Sequence, residues 1–454
     1  MSASSISSMS CLTTSSSLQQ SQMSLSQTSS SVSTTTSAIA CSTLTQQPAQ
    51  QNQNSAPKVI YINSPICIGF KNISQNNIDT IVAACKVAAA QGDPDSLRKL
   101  GALYLEGIGV EKNPKEAVRL FTLAADKGSV DAQIDLASCL LMGNGIEQNV
   151  QKAVDLFGDA ANQGNPIARH NLANCYKTGI GVTQDVKEAV RLYRLGAEEE
   201  FAPAQESLGT CYREGIGVER DLDEALRLYR LSADHGHAAG QNSLASFYEA
   251  GIVVKKDPNE AFRLYSLSAA QGYALGQFNL ALCYDNGMGV QKDEKSAVQL
   301  YRFAAQQNLA LAQNNLGICY KNGVGVPKDD KEAVRLMKLA VKQGCAIAQF
   351  NLGSWYQFGN GVQQDAKEAF PLLSAAAEQN VPEAQCNLAI LYLKGNGVEK
   401  NGGEAVRLFK LAAAQGNEVA HGNLLNLGFR YENGQYVRED VEMKIAVQKP
   451  TEAK

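Results

Sequence analysis

From residue 78 to residue 432 the apolar positions recur at helical spacing, in pairs of short stretches parted by glycine-rich turns. In one example, Ala204, Leu208, Cys211, Tyr212 and Gly215 stand at i, i+4, i+7, i+8 and i+11, a single stripe along a first helix. The stretch that follows places Ala225, Leu228, Tyr229 and Ala233 on the buried face of a second helix. Between them Gly215-x-Gly217 supplies the positive φ that a helix C-cap and a tight turn require. Asp221, with Glu224 three residues on, then has the spacing of a capping box: the aspartate accepts from an orphan N–H and the glutamate reaches back.

This unit recurs every 36 residues. Glycines at 107, 143, 179, 215, 251, 287, 323, 359 and 395 keep the spacing without a slip, and the glycine two positions later is missing only at Val253. Leucines from Leu136 to Leu388 and tyrosines from Tyr176 to Tyr392 follow the same period. Second helices are expected to end at glycine, or at Asn308 and Asn380, with Glu200 breaking the rule. A single helix pair exposes its apolar face, so neighbours must stack. The prediction is an all-α fold, an α/α superhelical repeat solenoid of antiparallel helix pairs, with about twenty helices and a length on the order of 100 Å. It opens on a second-type helix near 78–91. After Leu424, three extra residues displace Tyr431 and Gly434 and leave a polar, frayed end.

Charge changes the picture at the start of the chain. Residues 1–57 contain no Asp, Glu, Lys or Arg and are rich in Ser, Thr and Gln. Such a segment buries too little apolar surface to fold and is expected to be disordered, as a plain solvated tail or as a regulatory or export segment. Val59-Ile60-Tyr61-Ile62 and Ile66-Cys67-Ile68 are strand-like and are expected to pack against the end of the array. The expected domains are therefore 1–57, a junction at 58–77, the repeats at 78–432 and a polar tail at 433–454. With 41 Lys+Arg against 45 Asp+Glu and no basic stripe, the 454-residue chain is not expected to bind nucleic acid. The best apolar stretch, 81–90, is too short to span a membrane and carries Lys86; no secretory pattern stands at the start, which favours a cytoplasmic location.

The motifs Ala-Gln-x-x-Leu-Gly-x-x-Tyr, Gly-x-Gly-Val-x-x-Asp-x-x-Glu-Ala and Leu-Tyr-x-x-Ala-Ala-x-x-Gly at this period resemble the Sel1-like repeat family, relatives of the tetratricopeptide repeats. The resemblance covers residues 78 to 432 and implies a non-enzymatic adaptor or scaffold that binds protein partners. Two other readings attend it: an enzyme like the cysteine-rich, β-lactamase-type branch, and an exported host-interaction protein. Two departures are expected to disturb the stack. Pro371 lies inside a second helix, where it removes a hydrogen bond and should kink it. Trp355 stands where most units carry Cys and should overpack or widen its layer.

Candidate chemistry dissolves into the repeat. Cys139, Cys175, Cys211, Cys283 and Cys319 share one core position and read as small apolar fillers; successive units are too far apart for disulfides between them. This argues against the cysteine-rich branch and for a reducing compartment or an indifferent thiol state. His235 and His237 read as a surface turn rather than a metal site. The Gly-x-Gly turns follow helices and lack the Lys-Ser/Thr of a nucleotide loop. Pairs such as Glu224/Arg227 are surface ion pairs, not acid–base couples. No catalytic residue, cofactor site or metal site is assigned. Binding is expected on the concave face, at first-helix positions opposite the core stripe, where residue type changes from unit to unit. Phe278, Leu282, Ile318, Phe350 and Ile390 would there form an exposed apolar strip for a partner.

Overall fold

A computed structural model of the chain describes residues 75–438, residue 433 excepted. The uncharged start, the strand-like runs at 59–62 and 66–68 and the end of the polar tail lie outside the described residues.

Twenty helices form among the described residues. The array opens with α1 (Gln75–Ala90), a second-type helix. First helices are α2 (Pro94–Glu106), α4 (Val130–Met142), α6 (Pro166–Thr178), α8 (Ala202–Glu214) and α10 (Ala238–Ala250). They continue with α12 (Ala274–Asn286), α14 (Ala310–Asn322), α16 (Ala346–Phe358), α18 (Pro382–Lys394) and α20 (Glu418–Asn426). Second helices are α3 (Pro114–Asp126), α5 (Val150–Asn162), α7 (Val186–Glu198), α9 (Leu222–Asp234) and α11 (Pro258–Ala270), then α13 (Glu294–Gln306), α15 (Asp330–Lys342), α17 (Ala366–Glu378) and α19 (Gly402–Ala414). Each helix packs on the ones before and after it, so the expected solenoid is the fold. Like helices approach one another most closely along the first-helix row, as α8 does α10 and α10 does α12. The first helices therefore line the inner side of the curve.

Local chemistry sets these boundaries. Each second helix after α1 is capped by the expected Asp or Asn; Asp185 Oδ1, for instance, accepts from the backbone N–H of Lys187 and Glu188, both at 3.0 Å. The glutamate of the motif does not reach back. Both oxygens of Glu188 accept from the Arg191 guanidinium at 2.7 Å, and Glu116, Glu224, Glu260, Glu332 and Glu404 bind the arginine three residues on in the same way. A guanidinium fork offers a carboxylate two charge-assisted bonds against one from a backbone amide. At the end of each first helix before α20 the first glycine of the turn is left-handed, as Gly215 at φ 70°.

The core is one layer deep and repeats. Phe121, Phe157, Tyr193, Tyr229, Tyr265, Tyr301, Met337, Leu373 and Phe409 occupy a single second-helix position and are fully buried. The shared cysteine position lies against this row and is buried in every unit, Phe247 and Trp355 included. Trp355 shares its cluster with Met337 of α15. Pro371 leaves α17 at the same length as its neighbours. Glu200 and Val253 keep the backbone of the glycines they replace, at φ 59° and 63°.

The C-terminal end is closed differently. Helix α20 stops after nine residues and is followed by an antiparallel hairpin, β1 (Phe429–Glu432) and β2 (Gln435–Arg438), with Tyr431 opposite Tyr436. His421 Nδ1 lies 2.6 Å from the Tyr436 hydroxyl, and Lys410 Nζ donates to the Tyr436 carbonyl at 3.1 Å while sitting 5.0 Å from the Phe429 ring centre. This hairpin stands where a second helix would follow α20, and it straddles the boundary expected at 432–433.

Candidate protein-interaction groove

The inner face is built on polar contacts between successive first helices, at residues 37 apart. Arg98 Nε donates to Asp135 at 2.8 Å, His170 Nε2 meets Ser207 Oγ at 3.0 Å, and Ser243 Oγ donates to Glu206 at 3.2 Å. The series continues with Asn279 donating to Asn242 at 2.8 Å and Asn351 to Asn314 at 2.9 Å. These groups partner one another in place of water, with Arg98 Nη2 the one buried atom among them that has no hydrogen bond. His170 is buried between the rings of Tyr193 and Phe201, and burial pushes its pKa down to about 3.

A second polar row runs along the edge where each second helix ends beside the start of its own first helix, at residues 30 apart. Gln271 donates to Gln241, Gln307 to Gln277, Gln343 to Gln313 and Gln379 to Gln349, all at 2.8 Å, and Gln415 to Gln385 at 2.9 Å. His235 takes the place of one glutamine, 3.1 Å from Gln205. In one unit the pair is ionic, Arg169 with Glu199. The His235/His237 turn thus belongs to the packing, with His237 Nδ1 3.2 Å from Ser232 Oγ.

In the middle units the core itself supplies polar groups to the groove. The four buried tyrosines turn their hydroxyls inward: Tyr193 donates to Asn174, Tyr229 meets Thr210 at 3.0 Å, Tyr265 donates to Glu249 at 2.7 Å and Tyr301 to Asp285 at 3.3 Å. Burial raises the Asp285 carboxyl above its ordinary range. Lys177 lies over the Tyr193 ring, whereas Lys321 is buried, paired with Asp330 at 3.0 Å and 5.9 Å from the Trp355 ring centre. Units at either end, with Phe121, Phe157, Met337, Leu373 or Phe409 at the tyrosine position, have no such hydroxyl.

The expected apolar strip is redistributed by this geometry. Phe278 is 2% exposed, its ring 5.8 Å from that of Tyr301, so it is not a surface residue. It occupies the position that carries His170, Glu206, Asn242 and Asn314 in other units, where those polar side chains bridge to the next first helix. Phe350 is at the same position and packs half-buried against the C-terminal core. Leu282, Ile318 and Ile390 lie one helical turn further along their helices and are half-buried. They share the inner face with Lys177, Arg213, Glu249 and Asp285, also half-buried.

The two polar rows were not foreseen, although a signal existed. The glutamines at 241, 277, 313, 349 and 385 keep step with those at 271, 307, 343, 379 and 415, and Arg169 and Glu199 depart from the two series together.

All eight described cysteines are free thiols. Burial pushes Cys139, Cys283, Cys319 and Cys386 up to about 12, and Cys175 and Cys211 up to about 11, which disfavours the reactive thiolate. Among the described residues no cluster of three His, Cys, Asp or Glu side chains fits a metal ion, and no helix is long and apolar enough to cross a membrane.

Comparison with known proteins agrees with this architecture. No curated protein matches the chain. Among solved structures, a protective antigen of uropathogenic Escherichia coli with an SLR fold is 33% identical, covering 76% of this chain and 74% of its own, with a TM-score of 0.52. A Sel1 repeat protein from Oxalobacter formigenes is 28% identical over 54% of this chain and 96% of its own, with a TM-score of 0.47. The Cut9-Hcn1 hetero-tetramer of the APC/C is 16% identical over 78% of this chain and 67% of the other, with a TM-score of 0.51, a likeness of fold. The Sel1 repeat model matches nine consecutive 36-residue units from 94–129 to 382–417, each beginning at the first residue of a first helix, and a tenth at 424–447, and the chain therefore belongs to the Sel1 repeat family.

Proposed function

We propose that this protein is a non-enzymatic scaffold that holds a segment of a partner protein along the inner face of its first helices. Sel1 and tetratricopeptide-like solenoids are commonly used for protein–protein interaction, and the reading extends that use to one face of this chain. The observation that carries it is the contrast within each first helix. Core positions repeat from unit to unit, whereas the half-buried inner positions change: Lys177, Arg213, Glu249 and Asp285 at one, Leu282, Ile318 and Ile390 at another. A surface that only stacked repeats would have no need of that variation. The described thiols are mostly buried, and the two serine–histidine contacts, Ser207 with His170 and Ser232 with His237, are enclosed in the packing between helices, which supports a binding role.

Affinity purification with the full chain, followed by pairwise binding with each protein recovered, tests the reading. Replacing Leu282 and Ile390 by Gln, and separately Lys177 and Arg213 by Glu, should weaken a genuine groove partner at least tenfold with helicity unchanged. Retention of full affinity by both variants would move the partner off this face. Phe278 is unsuited to the test, because it is buried against Tyr301 and replacing it would disturb the packing of its own unit.

A further inference from the structure

The outer row of second helices carries an apolar ridge that neither the stacking nor the inner groove uses. Leu123, Leu195, Leu267, Phe303, Leu339 and Leu411 occupy one repeat position and are 36 to 44% exposed. Elsewhere along the row basic groups are fewer or share the ridge with acids: Asp159 interrupts it in α5, Lys187 and Arg194 of α7 stand with Glu198, and Glu378 stands in the last turn of α17.

At α13 and α15 the surroundings differ. The helices that carry Phe303 and Leu339 also carry Lys295, Arg302, Lys331, Lys338 and Lys342, all exposed and none in an ion pair, with Arg302 donating to the Tyr320 hydroxyl at 3.1 Å. The acidic groups of this region are already engaged. Asp293 and Asp329 cap their helices, Glu294 pairs with Lys292 at 3.1 Å, Asp330 with Lys321 and Lys328, and Glu332 with Arg335. Phe303 and Leu339 are equivalent residues of successive second helices, so they stand on the order of 10 Å apart. Seven residues of an α-helix rise about 10.5 Å.

We infer that the outer faces of α13 and α15 form a second docking surface, whose occupant is an acidic amphipathic helix lying across the two helices. Apolar residues seven apart on that helix would cover Phe303 and Leu339, and carboxylates on its flanks would meet the five unpaired cations. The surface lies on the helix row opposite the inner groove, so the protein would hold two partners at once without competition.

A fluorescein-labelled 22-residue helical peptide with Leu at every seventh position and Glu on both flanks is the probe, titrated against the full chain by anisotropy. Binding should weaken with added salt, and fall at least tenfold in Phe303→Asp/Leu339→Asp and in Lys331→Glu/Lys338→Glu, with circular dichroism and melting unchanged. A matched peptide with Lys for Glu should bind wild type poorly and the Lys331→Glu/Lys338→Glu variant better. Three results would overturn the assignment: no binding of the acidic peptide, equal binding by wild type and variants, or binding of phosphatidylserine vesicles through the same residues in its place.

Discussion

Ser268 of α11 and Gly276 of α12 fill one space between them. The Ser268 hydroxyl donates to the Ala238 carbonyl at 2.7 Å, and a Cβ on Gly276 would collide with that oxygen. Ser232 and Gly240 repeat the arrangement one unit earlier, while later units place alanine on both sides, as in Ala304 with Ala312 and Ala340 with Ala348. Gly196 reverses it, leaving room for Ala204. Gly276→Ala alone should destabilise by about 1–3 kcal/mol through overpacking. Ser268→Ala with Gly276→Ala recreates the alanine pair and should recover most of that loss, a coupling that urea unfolding of the double-mutant cycle measures.

Val253 holds a left-handed backbone that a β-branched residue rarely adopts. At the equivalent Gly217, a Cβ would lie 2.5 Å from the Val186 carbonyl, so glycine there also permits close approach of successive units. Val253→Gly should stabilise by about 1 kcal/mol or more, and Glu200→Gly by a similar amount, by relieving the strain. Gly217→Val should destabilise strongly. Melting temperatures of the three variants check the signs.

His170 makes stability depend on pH. Its folded pKa of about 3 lies below the ordinary histidine value, because burial disfavours the charged ring and Lys177 adds to the effect. The unfolded chain therefore takes up a proton as pH falls through about 6.5, and the folded protein does not until about 3. Stability contributed by this group is present above 6.5 and is lost progressively between 6.5 and 3, amounting to a few kcal/mol. His170→Asn, which copies Asn242 and Asn314 of other units, should flatten the fall in denaturation midpoint between pH 7 and pH 4.5. An unchanged slope would assign the pH dependence to other groups.

The cysteine positions predict a protected set. Cys139, Cys175, Cys211, Cys283, Cys319 and Cys386 should stay unmodified by a thiol reagent at pH 8 in the native protein and react fully in denaturant. Half-buried Cys345, at the start of α16, should react first among the described thiols. Mass spectrometry of partially labelled protein reads the order.

Much of the architecture was legible because its determinants are local and repeated nine times. The turn glycines, the Asp and Asn caps and the apolar stripe each act within a few residues, so spacing alone placed almost every helix. The exceptions have physical reasons. Glu188 and its equivalents bind arginine rather than completing a capping box, because the better donor lies one turn away on the same helix. The closing hairpin depends on His421 and Lys410 gripping Tyr436, contacts between segments that share no period.

By itself the sequence determined the period, the helix pairs, the core composition and the need to stack, all consequences of short-range spacing and of apolar stripes that cannot remain in water. Tertiary structure decided which side chains are covered. Phe278 and Leu282 are both apolar and one turn apart, yet only Phe278 is buried, its ring against Tyr301 of the second helix that follows. The same packing gathered the scattered glutamines and asparagines into two polar rows, the inner one interrupted where Ile134 and Phe278 take the polar position. It left Phe303 and Leu339 outside, where no neighbouring helix covers them.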